Sequence, residues 1–205
     1  MRLQILLRVS ILLLLLFAGQ LAAAPVRPSD IVLERTQNVM KALVEQRAEF
    51  NADRRKLDAF VESELDSLFD RDYSARLVLG RHAREADAAT VSAFGDALLK
   101  GLLREYGSAM LGVDPSLDLR IVGETELRSG QMVRVASEIH RRGGAPVKVD
   151  YLFRGVGEQW LVFDVIVEGV SYVQTFRTQF DDRLRRQSLD EVIDGLNRGE
   201  IDVEA

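Results

Sequence analysis

The chain of 205 residues contains no cysteine, so it has no thiol nucleophile, no thiolate metal site, no disulfide and no cysteine for a lipoprotein anchor. Histidine is almost as scarce: His82 and His140 are the only two, and neither belongs to an H-x-x-H or H-x-x-x-H pattern. A helix-opening glycine loop for phosphate is missing, since Gly155-Val156-Gly157 lies between two strand-like segments. There is also no G-x-S-x-G nucleophile turn. A surplus of basic charge is absent as well. The formal charge is −5, and without Arg2 and Arg8 the remaining 25 basic against 32 acidic side chains give −7. That balance disfavours nucleic acid, whose affinity rests on neutralised phosphates, and disfavours residence on an anionic bilayer. Three short basic clusters, Arg54-Arg55-Lys56, Arg141-Arg142 and Arg183 with Arg185-Arg186, read as solvated faces or turns before docking patches.

The one long apolar run is at the N-terminus. Arg2 and Arg8, the apolar stretch Val9 to Leu16 and the small residues Ala22, Ala23 and Ala24 have the layout of a cleaved export signal, residues 1–24. The run falls short of the about 20 residues that span a bilayer. The expected product is an exported, soluble chain, 25–205, forming one domain. Without disulfides its stability has to come from an apolar core.

Helices come first in the pattern. Pro28-Ser29-Asp30 is a helix start, followed by Val32, Val39, Leu43 and Phe50 at near-helical spacing. Leu57, Phe60, Val61, Leu65, Leu68 and Phe69 form a second stripe, and a shorter helix covers Tyr73 to Leu79. The longest runs from about Asp87 to Leu111 on Val91, Phe94, Leu98, Leu102, Tyr106 and Met110. Gly95, Gly101 and Gly107 interrupt it, each at a cost of roughly 1 kcal/mol relative to Ala, which suggests close packing or space kept for something else.

Four strands follow. Leu117, Leu119 and Ile121 alternate with polar neighbours, as do Val133, Val135 and Ile139, then Val147, Val149, Tyr151 and Phe153. In the fourth, Leu161, Phe163, Val165 and Val167 are expected on one face, with Trp160, Val162, Asp164, Ile166 and Glu168 on the other. Short turns at Ser129-Gly130, at Gly143 to Pro146 and at Gly155 to Gly157 make the neighbours antiparallel. Beyond Gly169 come a helix with Val173, Phe176, Phe180 and Leu184 on one side, then a last helix opened by the capping box Ser188/Glu191. Gly199 is its stop, with a frayed acidic tail expected after it. The fold class is α+β: a curved four-stranded antiparallel sheet, its apolar face covered by helices.

The best candidates for acid–base chemistry are Asp150 and Asp164, on neighbouring strands and able to face each other. Their alternation with apolar residues puts both on the solvated or helix-flanking face, as surface or cross-strand charges.

The wording of several segments adds to the pattern. Trp160, Asp164 and Glu168-Gly169-Val170-Ser171 make W-x-x-x-D-x-x-x-E-G-V-S, followed by a helix with Arg177 and Gln179-Phe180. Upstream stand Leu77-Val78-Leu79-Gly80-Arg81 before the long helix, and Val147-x-Val149-Asp150-Tyr151 after a Gly/Pro turn; Asp194-Gly195-Leu196 lies near the end. Together these resemble the MlaC-like periplasmic phospholipid-binding family, also called the toluene-tolerance Ttg2 family, over about residues 30 to 198. Two places depart from its pattern: His82-Ala83, where aromatic residues are common, and Gln187-Ser188-Leu189, where the ending usually begins with Gly.

The resemblance implies a carrier and not an enzyme, with no cofactor and no metal. Such a protein shuttles phospholipid between an outer-membrane lipoprotein complex and an inner-membrane ABC transporter with a substrate-binding ring. It holds acyl chains in an apolar cavity between sheet and helices. On that reading the lining is Val133, Val135, Val149, Tyr151, Phe153, Phe163 and Val165, opposed by Leu98, Leu102 and Tyr106, with Gly95 and Gly101 leaving the chains room. Asp164 and Glu168 are expected to serve the strand-to-helix turn, and Arg177 either the structure or a partner. An isomerase or hydrolase on a similar cone-shaped fold, or an adaptor with a filled core, are the competing readings.

Overall fold

A proline at the first helical position opens the first described helix. In this computed structural model, which describes residues 26–114 and 116–203, helix α1 spans Pro28–Glu45. The backbone N–H of Ser29 donates to the Glu124 carboxylate, which sits where a helix N-terminus favours negative charge. The apolar spacing from Val32 to Phe50 predicts one helix; the chain instead turns at Gln46, giving α1 and a short α2, Arg47–Ala52. Asp53 caps α3, Arg54–Leu68, and Asp70 caps α4, Arg71–Leu79, each by accepting a backbone N–H two or three residues on. A 3₁₀ turn, Gly80–Arg84, leads to the long α5, Ala88–Met110. The expected export signal, 1–24, lies outside the described residues. No helix among the described residues is long and apolar enough to cross a membrane.

The strands β1 (Asp118–Leu127), β2 (Met132–His140), β3 (Val147–Val156) and β4 (Gln159–Val167) form an antiparallel meander. A fifth strand, β5 (Val170–Ser171), joins the four expected. It exists because Glu168 and Gly169 both take positive φ, 50° and 85°, in a two-residue turn that folds Val170 back onto Val167. The Glu168 carboxylate also accepts the Lys148 N–H at 2.6 Å. Ser171 then caps α6, Tyr172–Leu184, and the Ser188/Glu191 capping box opens α7, Leu189–Arg198.

Two irregularities reset which side chains share a face. Pairing shifts between Leu152 and Phe153, so Val162 lies opposite Phe153 and Asp164 opposite Leu152, with Phe163 left over as the extra residue. The simple alternation expected for β4 therefore fails. Val162 joins the face of Tyr151 and Phe153 and is 1% exposed, while Phe163 packs edge-on to Tyr73 of α4. A second shift at Val122 in β1 puts Glu124 opposite Val135 and in reach of α1.

Three apolar clusters result. Under α1, Val32 packs with Val133, Val135, Phe153 and Val162 of the sheet. A second cluster holds Leu43, Phe50, Leu57 and Val61 of α1, α2 and α3. The largest unites α4, α5, α6 and α7 around Phe94, Phe180 and Leu196. The tail expected to fray is part of it, with Ile201 at 5% and Val203 at 1% exposure. A Cβ at Gly101 would come within 2.8 Å of Val203, so that glycine admits the tail and not an acyl chain.

Candidate functional site: an apolar cavity where three clusters meet

The helices that cover this sheet from several directions are not close-packed at the point where they converge beside β4. Here that point is a cavity of about 210 Å³, walled by the C-terminal end of α3, by α4, α5 and the start of α6, and by β4. Leu65 and Phe69 line it from α3 and its end, Ala75 and Val78 from α4, Leu98 and Leu102 from α5, Val173 and Phe176 from α6, and Val165 from β4.

Only Arg71, Ser74 and Asp164 bring charge or a hydroxyl to the lining, apart from the Tyr172 ring, and all three are engaged. The Ser74 hydroxyl lies 2.8 Å from the carbonyls of both Asp70 and Phe163, which fastens α4 to β4. Arg71 is ion-paired with Asp66 and Asp96. Asp164, expected on a solvated or helix-flanking face and at the service of the strand-to-helix turn, is 6% exposed beneath that turn. One of its oxygens accepts the Ser171 hydroxyl at 2.6 Å and the other the Val173 backbone N–H at 3.1 Å, so the carboxylate serves the first turn of α6. Asp150 does not face it: Asp150 pairs across the ladder with Ile166 and forms an ion pair with Arg134. The wall therefore offers apolar surface and satisfied polar groups, an arrangement that takes hydrocarbon and has no free general base.

Of the ten residues read from the sequence as lining, Leu98, Leu102 and Val165 reach this cavity. Val133, Val135 and Phe153 are sealed under α1. Val149 is buried beside Ser137, whose hydroxyl donates to its carbonyl at 2.8 Å. Tyr151 packs at the side of the α1 cluster; burial pushes its phenol up, and the Ser137 hydroxyl partly offsets this. Phe163 turns to Tyr73, and Tyr106 is 40% exposed with its hydroxyl 3.3 Å from the Val203 carbonyl. Gly95 does line the cavity, but its open side receives the Arg71 stem, 3.2 Å from an added Cβ. Sequence reasoning missed Leu65, Phe69, Val78, Val173 and Phe176; all but Val78 sit on the helical stripes, where nothing separates a wall residue from a core residue.

Two polar crevices lie nearby. One, about 260 Å³, adjoins the cavity at Phe69 and Arg71. The other, about 350 Å³, is lined by Arg81, Arg177, Asp181, Asp182 and Arg185 among others, and shares no residue with the cavity lining. Arg177 is exposed, with its guanidinium close over Gly80. The histidines hold single carboxylates, His82 to Asp181 at 3.0 Å and His140 to Glu138 at 3.2 Å. No group of three potential metal ligands occurs among the described residues.

A helix-and-sheet body enclosing an apolar cavity places the chain in a known class. Its fold matches the solved structure of a phospholipid-binding protein from Ralstonia solanacearum in complex with a phospholipid. The TM-score is 0.75 at 18% identity, over 84% of this chain and 96% of that one. The chain belongs to the MlaC family, whose model, described as MlaC protein, matches residues 34–198. It is also 26% identical, over 92% of its length and 88% of the relative's, to the toluene tolerance protein Ttg2D of Pseudomonas putida.

Proposed function

We propose that this protein is a soluble periplasmic phospholipid carrier. It takes acyl chain into the cavity and moves lipid between an outer-membrane lipoprotein complex and an inner-membrane ABC transporter with a substrate-binding ring. The observation that carries the reading is the cavity itself: nearly all its wall is hydrocarbon, and its few polar groups are already bonded. Family membership, and the phospholipid named for the Ralstonia relative, support it.

The energetics suit a carrier. A phospholipid has about 30 chain methylenes, each worth about 0.8 kcal/mol on leaving water, so unassisted crossing of an aqueous gap is prohibitive. A cavity needs only to resemble the bilayer interior, so that loading and unloading are both near balance. The present 210 Å³ lies below the roughly 300–1,000 Å³ of typical ligand pockets, so a complete lipid requires the walls to part.

Native mass spectrometry of the mature protein purified from a bacterial periplasm, with lipid extraction, tests the proposal. Phospholipid at near one per protein is expected, with loading strongly reduced in Leu102→Trp, which narrows the cavity. A bare protein mass that persists after incubation with phospholipid vesicles would overturn it.

A further inference from the structure

Arginine is spread unevenly over this acidic chain. Helix α4, the 3₁₀ turn and α6 with Arg185-Arg186 behind it hold eight arginines and three aspartates, a surplus of five positive charges. The rest of the mature chain carries −12. These elements are neighbours: Arg81 and His82 of the turn reach Asp181 of α6 at 2.9 and 3.0 Å, and Arg177 lies over Gly80. Their inner sides, with Ala75, Val78, Val173 and Phe176, wall the cavity. Their outer side holds the 350 Å³ crevice. Within it Asp181 and Asp182 are taken by Arg81 and Arg185, so the charge of Arg177 is left over. The guanidinium groups of Arg76, Arg84, Arg177, Arg183 and Arg186 have no ion-pair or hydrogen-bond partner among the described residues, and all five side chains but Arg183 are exposed.

We propose that the outer side of α4 and α6 is a docking face for an acidic protein surface, and that a carboxylate of the partner seats on Arg177. The inference rests on the carrier reading above, which makes the partner one of the membrane complexes between which lipid moves. A guanidinium presents a planar fork that fits a carboxylate bidentately, and an unpaired arginine in a crevice has the form of an interface anchor. The face uses arginine alone, the cation suited to interface ion pairs, and no lysine. None of the exposed large apolar side chains among the described residues belongs to it, so it has nothing to insert into a bilayer. The acidic surface of a second copy would have to meet it head to tail, a contact that closes no dimer. Docking there sets the partner against the helices that wall the cavity.

The test is binding of the mature, lipid-loaded protein to each of the two purified membrane complexes in detergent, read by biolayer interferometry. Arg177→Ala should weaken binding to at least one complex by about tenfold, the loss of an arginine anchor. Arg76→Glu with Arg84→Glu and Arg186→Glu should slow association, and added salt should slow the unaltered protein in the same way. Arg128→Glu with Arg141→Glu and Arg142→Glu reverses as many charges on two hairpin turns and should bind as the unaltered protein does. Lipid loading, read by native mass spectrometry, should be equal in all, since none of these residues lines the cavity. Affinity for both complexes unchanged by Arg177→Ala and by the first triple reversal would overturn the docking face and leave the carrier reading standing. An equal loss in the hairpin variant would overturn it too. So would a face that Arg177→Ala disables only for phosphatidylglycerol vesicles, or only for self-association, which would assign it to a bilayer or to a second copy. Failure of the unaltered, loaded protein to bind either complex would sink the shuttle, and this proposal with it.

Discussion

Val162 and Val165 point from the same face of β4 and end in different surroundings. Val162 is 1% exposed, packed with Phe153 in the cluster closed by Val32 of α1 and bridged by Phe69 at the end of α3. Val165, three residues on, borders a cavity because no single helix covers it; α3, α5 and α6 converge there and leave a gap. The two positions have the same side chain on the same strand face. Whether a strand residue belongs to a sealed core or a cavity wall is decided by what lies above it.

That contrast can be broken by mutation. Phe153→Ala should lower the unfolding free energy by about 3–5 kcal/mol, because the closed cluster cannot relax into the space left. Leu102→Ala, at a half-exposed wall beside existing space, should cost much less, about 1 kcal/mol. Parallel denaturant melts would check both, and equal losses would mean that the cavity wall is packed as tightly as the core. An effect between these two, about 1–3 kcal/mol, is expected from Asp164→Asn. The amide keeps an acceptor for only one of the two donors now shared by the carboxylate, so the same melts should show the loss.

The smallest effect sharpens the contrast from outside. Asp181 is held below the ordinary carboxylate range by hydrogen bonds from Arg185 and then His82, Asp87 by the Thr90 N–H, and Glu191 by the Ser188 N–H. A lowered folded-state pKa means stabilisation that is present above the unfolded value of about 4 and lost as pH falls through the folded value. Stability should thus decline below about pH 4. None of these groups lines the cavity, so lipid loading at pH 5 should equal that at pH 7, as measured by extraction.

Much of the fold was legible because its signals are local. The stripe on α5, the short glycine-bearing turns between β1, β2, β3 and β4 and the Ser188/Glu191 box each reappear in three dimensions. What sequence periodicity concealed was nonlocal. The shift that takes Val162 to the core face depends on how β3 and β4 pair, and no feature within β4 announces it. The burial of Asp164 depends on α6 folding back over the strand. The cavity was harder still, since Leu65 and Leu57 occupy the same stripe of α3, yet one borders the cavity and the other is wholly enclosed.

The bonds around Asp164 have a mechanical consequence. Through Ser171 and Val173 it fastens α6 to β4, as Ser74 and the Asp70 N–H fasten α4. Three walls of the cavity therefore form a stiff frame. The seam between α3 and α5 is bridged by side chains, including Arg54 on the Leu103 carbonyl. If lipid passes at that seam, as the carrier reading allows, its exchange needs no break in the bonds that tie α4 and α6 to β4. Turnover of the ligand is then decoupled from unfolding of the protein that holds it.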